Sequence, residues 1–319
     1  MKAAVVRSFG NPPAYETFDA PVPAGPDGVL VDVLAAGLHP RTRSSADGSH
    51  YTSTGELPMI PGVDGVGRDP GGQLRYFVLH DTSRGSMADQ VVIDTRRSVV
   101  LPAGTDVLSV AAAMNPAMAS WIALRQRIAF EPGQSVLVLG ATGNAGQMAV
   151  QVARRLGAGQ VIAAGRDPER LAALAGLGAD VTVPLAGDPG RSALELGEAG
   201  ADVDVVLDFL WGPATEHNMA AVLTGRADKS QPLTWVEIGS MSGLQITLPS
   251  AWLRAVRVQL VGSGQGSVSA RDIVAELPSL AAEISAGSYA IDATAVPLSQ
   301  VETAWNAPAG RGQQIVFVP

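Results

Sequence analysis

The chain is predicted to be an α/β protein, with a doubly wound parallel sheet joined to a second, β-rich domain. Three observations predict this. Strand-like and helix-like segments alternate from Gln134 onward, as a parallel sheet with crossover helices requires. Before Asp106, short apolar segments are broken by Pro/Gly clusters such as NPP and PVPAGPDG. The ending, IDATAVPLSQVETAW and RGQQIVFVP, returns to that β texture.

The elements follow in order. Lys2–Val6, Gly28–Ala36 and Gln90–Ile93 read as strands, being β-branched or alternating between apolar and polar residues. VLSVAAAMNPAMASWIALRQRIAF has helical propensity with an Asn-Pro break, which predicts two helices meeting near Pro116. SVLVLG is an uninterrupted apolar run, as in a strand buried on both faces. GNAGQMAVQVARRLGA follows as a helix ending at Gly157, then QVIAAG as a second strand. In DPERLAALAGLGA, Asp167 is the expected N-cap and Pro168 the first helical residue. ADVTVP, VDVVLDFL and LTWVEIG continue the strands, and SARDIVAELPSLAAEISAG is a further helix. The division expected is residues 1–115 with 288–319 as the β-rich domain, and 116–287 as the α/β domain.

Composition excludes several classes. At 319 residues and 46% apolar, the chain can bury two cores without staples. Its 22 basic and 30 acidic residues give a net charge of −8, which argues against nucleic acid as a partner. Cysteine is absent, which removes disulfides, thiolate zinc sites, iron–sulfur clusters and a cysteine nucleophile. The histidines His39, His50, His80 and His217 show no metal-ligand spacing. The N-terminal apolar run is too short for a signal-peptide core, and Val107–Leu124 is interrupted by Ser109, Asn115, Pro116 and Ser120, short of a membrane span. A cytoplasmic protein without a membrane partner is expected.

The motif that carries chemistry is SVLVLGATGNAGQMAV. Gly140, Gly143 and Gly146 fall at a strand-to-helix junction, with Thr142, Asn144 and Ala145 between them. Such glycines permit a tight turn, close approach of backbone to a pyrophosphate, and tight helix-to-strand packing, in that order. The next strand ends in AAGRDPER. Gly165 stands where an acid would meet a ribose 2′-hydroxyl, and Arg166 and Arg170 follow. Two guanidiniums without that acid suit a 2′-phosphate, so NADPH is the expected cofactor, with Asp167 as the alternative ribose acceptor.

Taken with PMIPGVDGVG, GSMADQVVI, WVEIGSMSG and PLSQVETAW, these segments resemble the medium-chain dehydrogenase/reductase superfamily, in its zinc-independent quinone-oxidoreductase-like branch. The resemblance implies a GroES-like catalytic domain, a Rossmann NADPH-binding domain, an active site in the cleft between them, and a homodimer. Zinc-dependent members carry Cys, His and Glu ligands where this chain has His39, Val63 and Asp64, so no metal is expected. Reduction of quinones or α,β-unsaturated carbonyl compounds is then implied, since these small molecules accept hydride without a Lewis acid. The branch has a tyrosine facing the nicotinamide, matched here by Tyr51 with His50 beside it, both catalytic candidates. Its Asn-x-x-Asp pattern is replaced by His39 and Thr42, which leaves the quinone assignment open. Gly239, Ser240, Gly262 and Gly264 are implied to line the nicotinamide; His39 is placed in the substrate cleft, Asn115 is a candidate to hydrogen-bond cofactor or substrate, and Trp211 to wall the cofactor or substrate cleft, while Asp208 reads as an ordinary cap. Two alternatives stand beside this reading: an alcohol or aldehyde oxidoreductase with a metal at His39 and Asp64, and an NADPH-binding sensor with little turnover.

Overall fold

The computed structural model describes residues 1–307 and 313–319; Arg311 and Gly312 of the expected closing strand lie outside them. The chain divides into two compact units, Met1–Asn115 with Val274–Pro319, and Pro116–Ile273.

In the first unit, β1 (Lys2–Val5) pairs antiparallel with β2 (Ala14–Thr17). Then come β3 (Gly28–Gly37), α1 (Pro40–Ala46), β4 (Asp64–Arg68), β5 (Leu74–Val78), β6 (Gln90–Asp94) and β7 (Ser98–Val100). β2, β4, β5, β7 and α1 have no counterpart among the elements expected from sequence. They are short, and β4 contains two glycines where backbone or aromatic atoms approach too closely for any side chain. Such strands owe their pairing to neighbours rather than to their own propensity.

α2 (Val107–Ile122) corrects a second expectation. It runs through Pro116 as one helix and continues as a π turn, Ala123–Arg127, instead of breaking into two helices. Proline removes one hydrogen bond and crowds the residue four positions earlier, which here is the small Ala112. Burial of Val110–Met114, Ala117 and Trp121–Leu124 outweighs that loss. The helix and turn together, Val107–Arg127, are long and apolar enough to cross a membrane by length and composition, contrary to the sequence expectation. In the structure 67% of that apolar window is buried inside the protein, as in a core helix.

The second unit begins with β8 (Ser135–Leu139), α3 (Asn144–Arg155), β9 (Gln160–Gly165), α4 (Pro168–Ala173) and β10 (Val181–Pro184). α5 (Pro189–Ala199), β11 (Val205–Asp208), α6 (Gly212–Gly225), β12 (Leu233–Glu237), α7 (Ser250–Ala255) and β13 (Val258–Gly262) follow. The strands form a six-stranded parallel sheet ordered β10-β9-β8-β11-β12-β13, so the order reverses between β8 and β11. Leu137, Leu139, Ile162, Val206 and Trp235 fill its core. The doubly wound sheet expected from alternation is therefore present.

α8 (Ala270–Ser285) leads to β14 (Asp292–Pro297), α9 (Val301–Ala304) and β15 (Gln313–Val318). β15 lies between β14 and β3, so the C-terminal strand is hydrogen-bonded to the N-terminal domain's sheet. Phe317 packs with Val5, Val31, Ile60 and Phe77 in one core.

Candidate active site

The carboxyl edge of the parallel sheet gathers most of the residues singled out from sequence. The register aligns Ala164, Leu139, Asp208, Glu237 and Gly262 across neighbouring strands. The turns carrying Gly140, Arg166, Trp211, Gly239, Ser240 and Gly264 therefore leave the sheet along one edge. Ligands of open α/β sheets bind at this edge, where the strand order reverses.

The turn after β8 is shaped by its glycines. Gly140 sits at φ +84°, a conformation that side chains other than glycine rarely adopt. The N–H groups of Gly140 and Ala141 both donate to Ala164 O, at 3.0 and 2.9 Å, tying the turn to β9. Gly143 is the N-cap of α3, and no side chain caps that helix. A Cβ at Gly143 would meet nothing closer than Gly140 O at 3.4 Å. At Gly146 it would lie 2.3 Å from Gly140 O and 2.6 Å from Ala141 Cα. An approachable helix N-terminus beside a bare Cα, packed tightly on the strand behind it, fits a pyrophosphate.

At the tip of β9 the structure supplies a reason for the missing acid. A Cβ at Gly165 would fall 2.4 Å from Thr142 Cγ2, so the Thr142 side chain already fills that space. Asp167 caps α4, accepting from the N–H groups of Glu169 and Arg170, both at 3.1 Å. Arg170 donates from Nη1 to Thr142 O at 2.5 Å and from Nη2 to Asn144 Oδ1 at 3.3 Å, so its guanidinium braces the turn. Burial pushes its pKa below the ordinary arginine value. Arg166 is exposed and makes no hydrogen bond or ion pair with a described residue. Of the two arginines expected to meet a 2′-phosphate, Arg166 is the one with its guanidinium uncommitted.

Asp208 does more than an ordinary cap. Its fully buried carboxylate accepts from Leu210 N–H at 2.9 Å, Trp211 N–H at 3.2 Å, Thr215 Oγ1 at 2.7 Å and Trp235 Nε1 at 3.0 Å. Glu237, beside it in register, has its pKa raised by burial and then by the Asp208 charge. The sequence signal was an acid closing the apolar run VDVVLD; a carboxylate in a buried strand needs several donors. Gly239 N–H donates to Asp208 O at 3.2 Å, Gly262 O accepts from Arg127 Nε at 2.7 Å, and Gly264 N–H donates to Ser267 Oγ at 2.8 Å. Ser240 is exposed, and Asn115 is half-buried on α2.

In the first unit, His39 and Asp64 are each 1% exposed, and His39 Nε2 lies 3.4 Å from Asp64 Oδ1. That is within ion-pair distance but too poorly aligned for a hydrogen bond. Tyr76 Oη donates to Asp64 Oδ2 at 2.7 Å. Burial, with the Asp64 charge second, raises the Tyr76 pKa well above the ordinary value, so it remains a donor. Thr42 Oγ1 is buried nearby in sequence, at the start of α1. Among the described residues no three His, Asp or Glu side chains converge as a metal site needs.

His50 and Tyr51 stack with ring centroids 4.5 Å apart. His50 Nδ1 accepts from Thr52 N–H at 3.2 Å and lies 2.9 Å from Thr52 Oγ1, which puts the proton of the neutral ring on Nε2. Burial lowers the His50 pKa, Arg41 lowers it further and Asp81 opposes them, so the neutral ring prevails at pH 7. Tyr51 is 71% exposed. Thr52, which bonds the His50 ring, lines a small cleft with Arg41, Ser45, Val63, His80 and Asp81. Sequence reasoning had not singled out Arg41 or Asp81, because the two are paired across 40 residues of chain, nor Thr52, which bonds the neighbouring His50 ring.

Fold and edge geometry together define the class, a dinucleotide-binding α/β protein with a Rossmann sheet. Comparison with known proteins narrows it. Residues 145–276 match the family described as zinc-binding dehydrogenase. A probable NADPH-dependent quinone reductase of Emericella nidulans is 31% identical, covering 100% of both chains. Quinone oxidoreductase-like protein 2 of Rattus norvegicus is 24% identical, over 85% of this chain and 77% of that protein. The quinone oxidoreductase of Thermus thermophilus, solved alone and with NADPH, superposes with TM-score 0.78 at 25% identity, covering 100% of both chains. The chain belongs to the quinone oxidoreductase-like family of the medium-chain dehydrogenase/reductase superfamily, and it is an oxidoreductase.

Proposed function

We propose that this protein reduces quinones or α,β-unsaturated carbonyl compounds by hydride transfer from NADPH, without a metal. The observation that carries the cofactor is the tip of β9. Thr142 fills the space an acid would need, Asp167 is committed to capping, and Arg166 is left to meet a phosphate. The residues that would hold NADPH are Gly140–Gly146 at the pyrophosphate and Arg166 at the 2′-phosphate. When bound, the cofactor supplies the hydride. The substrate class rests on the likeness to quinone reductases, and the metal-independent reading on a donor set limited to His39 and Asp64 where zinc ligands stand in related enzymes.

The chain's own residues supply the remaining chemistry. His50 presents a neutral Nε2–H, a hydrogen-bond donor suited to an oxygen gaining negative charge. Tyr51 Oη holds a second proton and is open to solvent, which can replace it after transfer. Oxidation of NADPH, followed at 340 nm against a panel of quinones and enones, tests the reading, with elemental analysis of the same sample. Turnover without a stoichiometric metal is expected; one zinc per chain, with activity lost on chelation, would establish the metal-dependent alternative. Tyr51→Phe should lower turnover by about tenfold, below the 10²–10⁴ of a fully positioned acid because the phenol is exposed. Its NADPH affinity should be unchanged, and an unchanged rate would remove Tyr51 from the mechanism.

Arg166→Ala should weaken NADPH by about ten- to a hundredfold, the worth of one charge-assisted hydrogen bond, and leave NADH nearly unaffected. Arg170→Ala should weaken both cofactors together, because it unbraces the turn itself. Fluorescence titrations of the two variants separate these roles, and equal binding of NADH and NADPH by the unmutated protein would refute the assignment.

A further inference from the structure

We infer that the Trp211 indole walls the nicotinamide half of the cofactor site. The inference rests on the dinucleotide reading above. A dinucleotide lies across the reversal point of such a sheet, one nucleotide over each half. The turn with Gly140 and the Arg166 tip occupy the half formed by β8, β9 and β10. β11 opens the other half and is hydrogen-bonded to β8, so the loop leaving β11 belongs to the second nucleotide.

Contacts put that loop directly against the cradle. A Cβ at Gly140 would lie 3.0 Å from Leu210 Cδ2 and 3.4 Å from Phe209 Cβ. The following residue, Trp211, has φ 50° and ψ −168°, and it is the single non-glycine with positive φ among the described residues. Such a backbone is unfavourable for tryptophan and persists only where its surroundings over-determine it. Here they do. The Asp208 carboxylate takes the N–H groups of Leu210 and Trp211, and is itself fixed by Thr215 and the buried Trp235 indole. On the far side, Gly212 at φ +60° is pressed against Gly243, whose Cα and N would each lie 2.7 Å from an added Cβ.

The Trp211 indole is half-buried, and its N–H meets no acceptor among the described residues. An aromatic face with an uncommitted donor, held in a costly conformation beside a pyrophosphate cradle, suits a flat amide-bearing ring.

Calorimetric titration of the wild-type protein and Trp211→Gly with NADPH, and with 2′,5′-ADP as a probe of the adenosine half alone, tests this. Glycine adopts φ 50° freely, which offsets part of the buried area lost with the indole, so the variant should remain folded with a modestly lowered melting temperature. Its NADPH affinity should fall about tenfold while 2′,5′-ADP binds as before. Trp211→Phe, which keeps a ring, should retain most of the NADPH affinity. Equal NADPH affinity in wild type and Trp211→Gly, or parallel weakening of both ligands, would overturn the inference while leaving the cofactor reading intact. Wild-type protein that binds neither ligand overturns the cofactor reading, and this inference with it.

Discussion

Gly146→Ala is expected to weaken NADPH binding by about a hundredfold or more and to destabilise the fold, whereas Gly143→Ala weakens binding with little effect on the fold. The methyl group at position 146 would enter 2.3 Å from Gly140 O and 2.6 Å from Ala141 Cα, so α3 must lift away from β8. Overpacking of this kind costs about 1–3 kcal/mol, which at about 2–4 °C per kcal/mol lowers Tm by about 2–12 °C. Lifting the helix also withdraws its N-terminal N–H groups from the phosphate. Losing two such bonds, at about 1.5–3 kcal/mol each, weakens binding by about a hundredfold or more. At position 143 the added methyl meets nothing closer than 3.4 Å and φ is −79°, so the loss is confined to that of a poorer N-cap, about 1 kcal/mol or less. The methyl nevertheless stands where the pyrophosphate must approach. Differential scanning calorimetry with NADPH titration distinguishes the two variants. Retained NADPH affinity in Gly143→Ala would mean that the anion does not bind at this helix.

Asp64→Ala should destabilise the first unit by about 3–5 kcal/mol, because it strips a buried charged partner from His39 and the acceptor from Tyr76. Both survivors are essentially inaccessible to water, at 1% exposure each, so neither can recover its lost partner from solvent. Tyr76→Phe should cost less, about 1–3 kcal/mol, since it removes the hydrogen bond to Asp64 Oδ2 but keeps the carboxylate beside His39. Replacing all three together, as His39→Leu, Asp64→Val and Tyr76→Phe, should restore part of the loss, because no buried charge or hydroxyl is then left without a partner. Chemical denaturation of the three variants measures the order. Wild-type stability in Asp64→Ala would show that this cluster contributes nothing to the fold.

These two predictions differ in how far the sequence could have reached. The glycine turn is legible because β8, its turn and the start of α3 are contiguous, and each glycine answers a local steric demand. The His39–Asp64–Tyr76 cluster is assembled from α1's N-terminal flank, β4 and β5, which only tertiary pairing brings together. Sequence comparison with zinc-dependent relatives drew attention to positions 39 and 64, but nothing in the chain order pointed to Tyr76.

By itself, the amino-acid sequence determined the alternating α/β half, the Gly140–Gly146 cradle, the Asp167 cap and the placement of Arg166 after β9. All of these are decided by backbone sterics and hydrogen bonds within a few turns of the chain. Tertiary structure alone decided that Thr142 fills the space beside Gly165, that Arg170 braces the cradle, and that Asp208 serves four donors from three segments. It also decided that α2 stays whole through Pro116 and that β15 inserts between β14 and β3. Each of these outcomes depends on burial and on partners far away in sequence. A local pattern cannot hold such terms, because they exist only once the distant segments have packed.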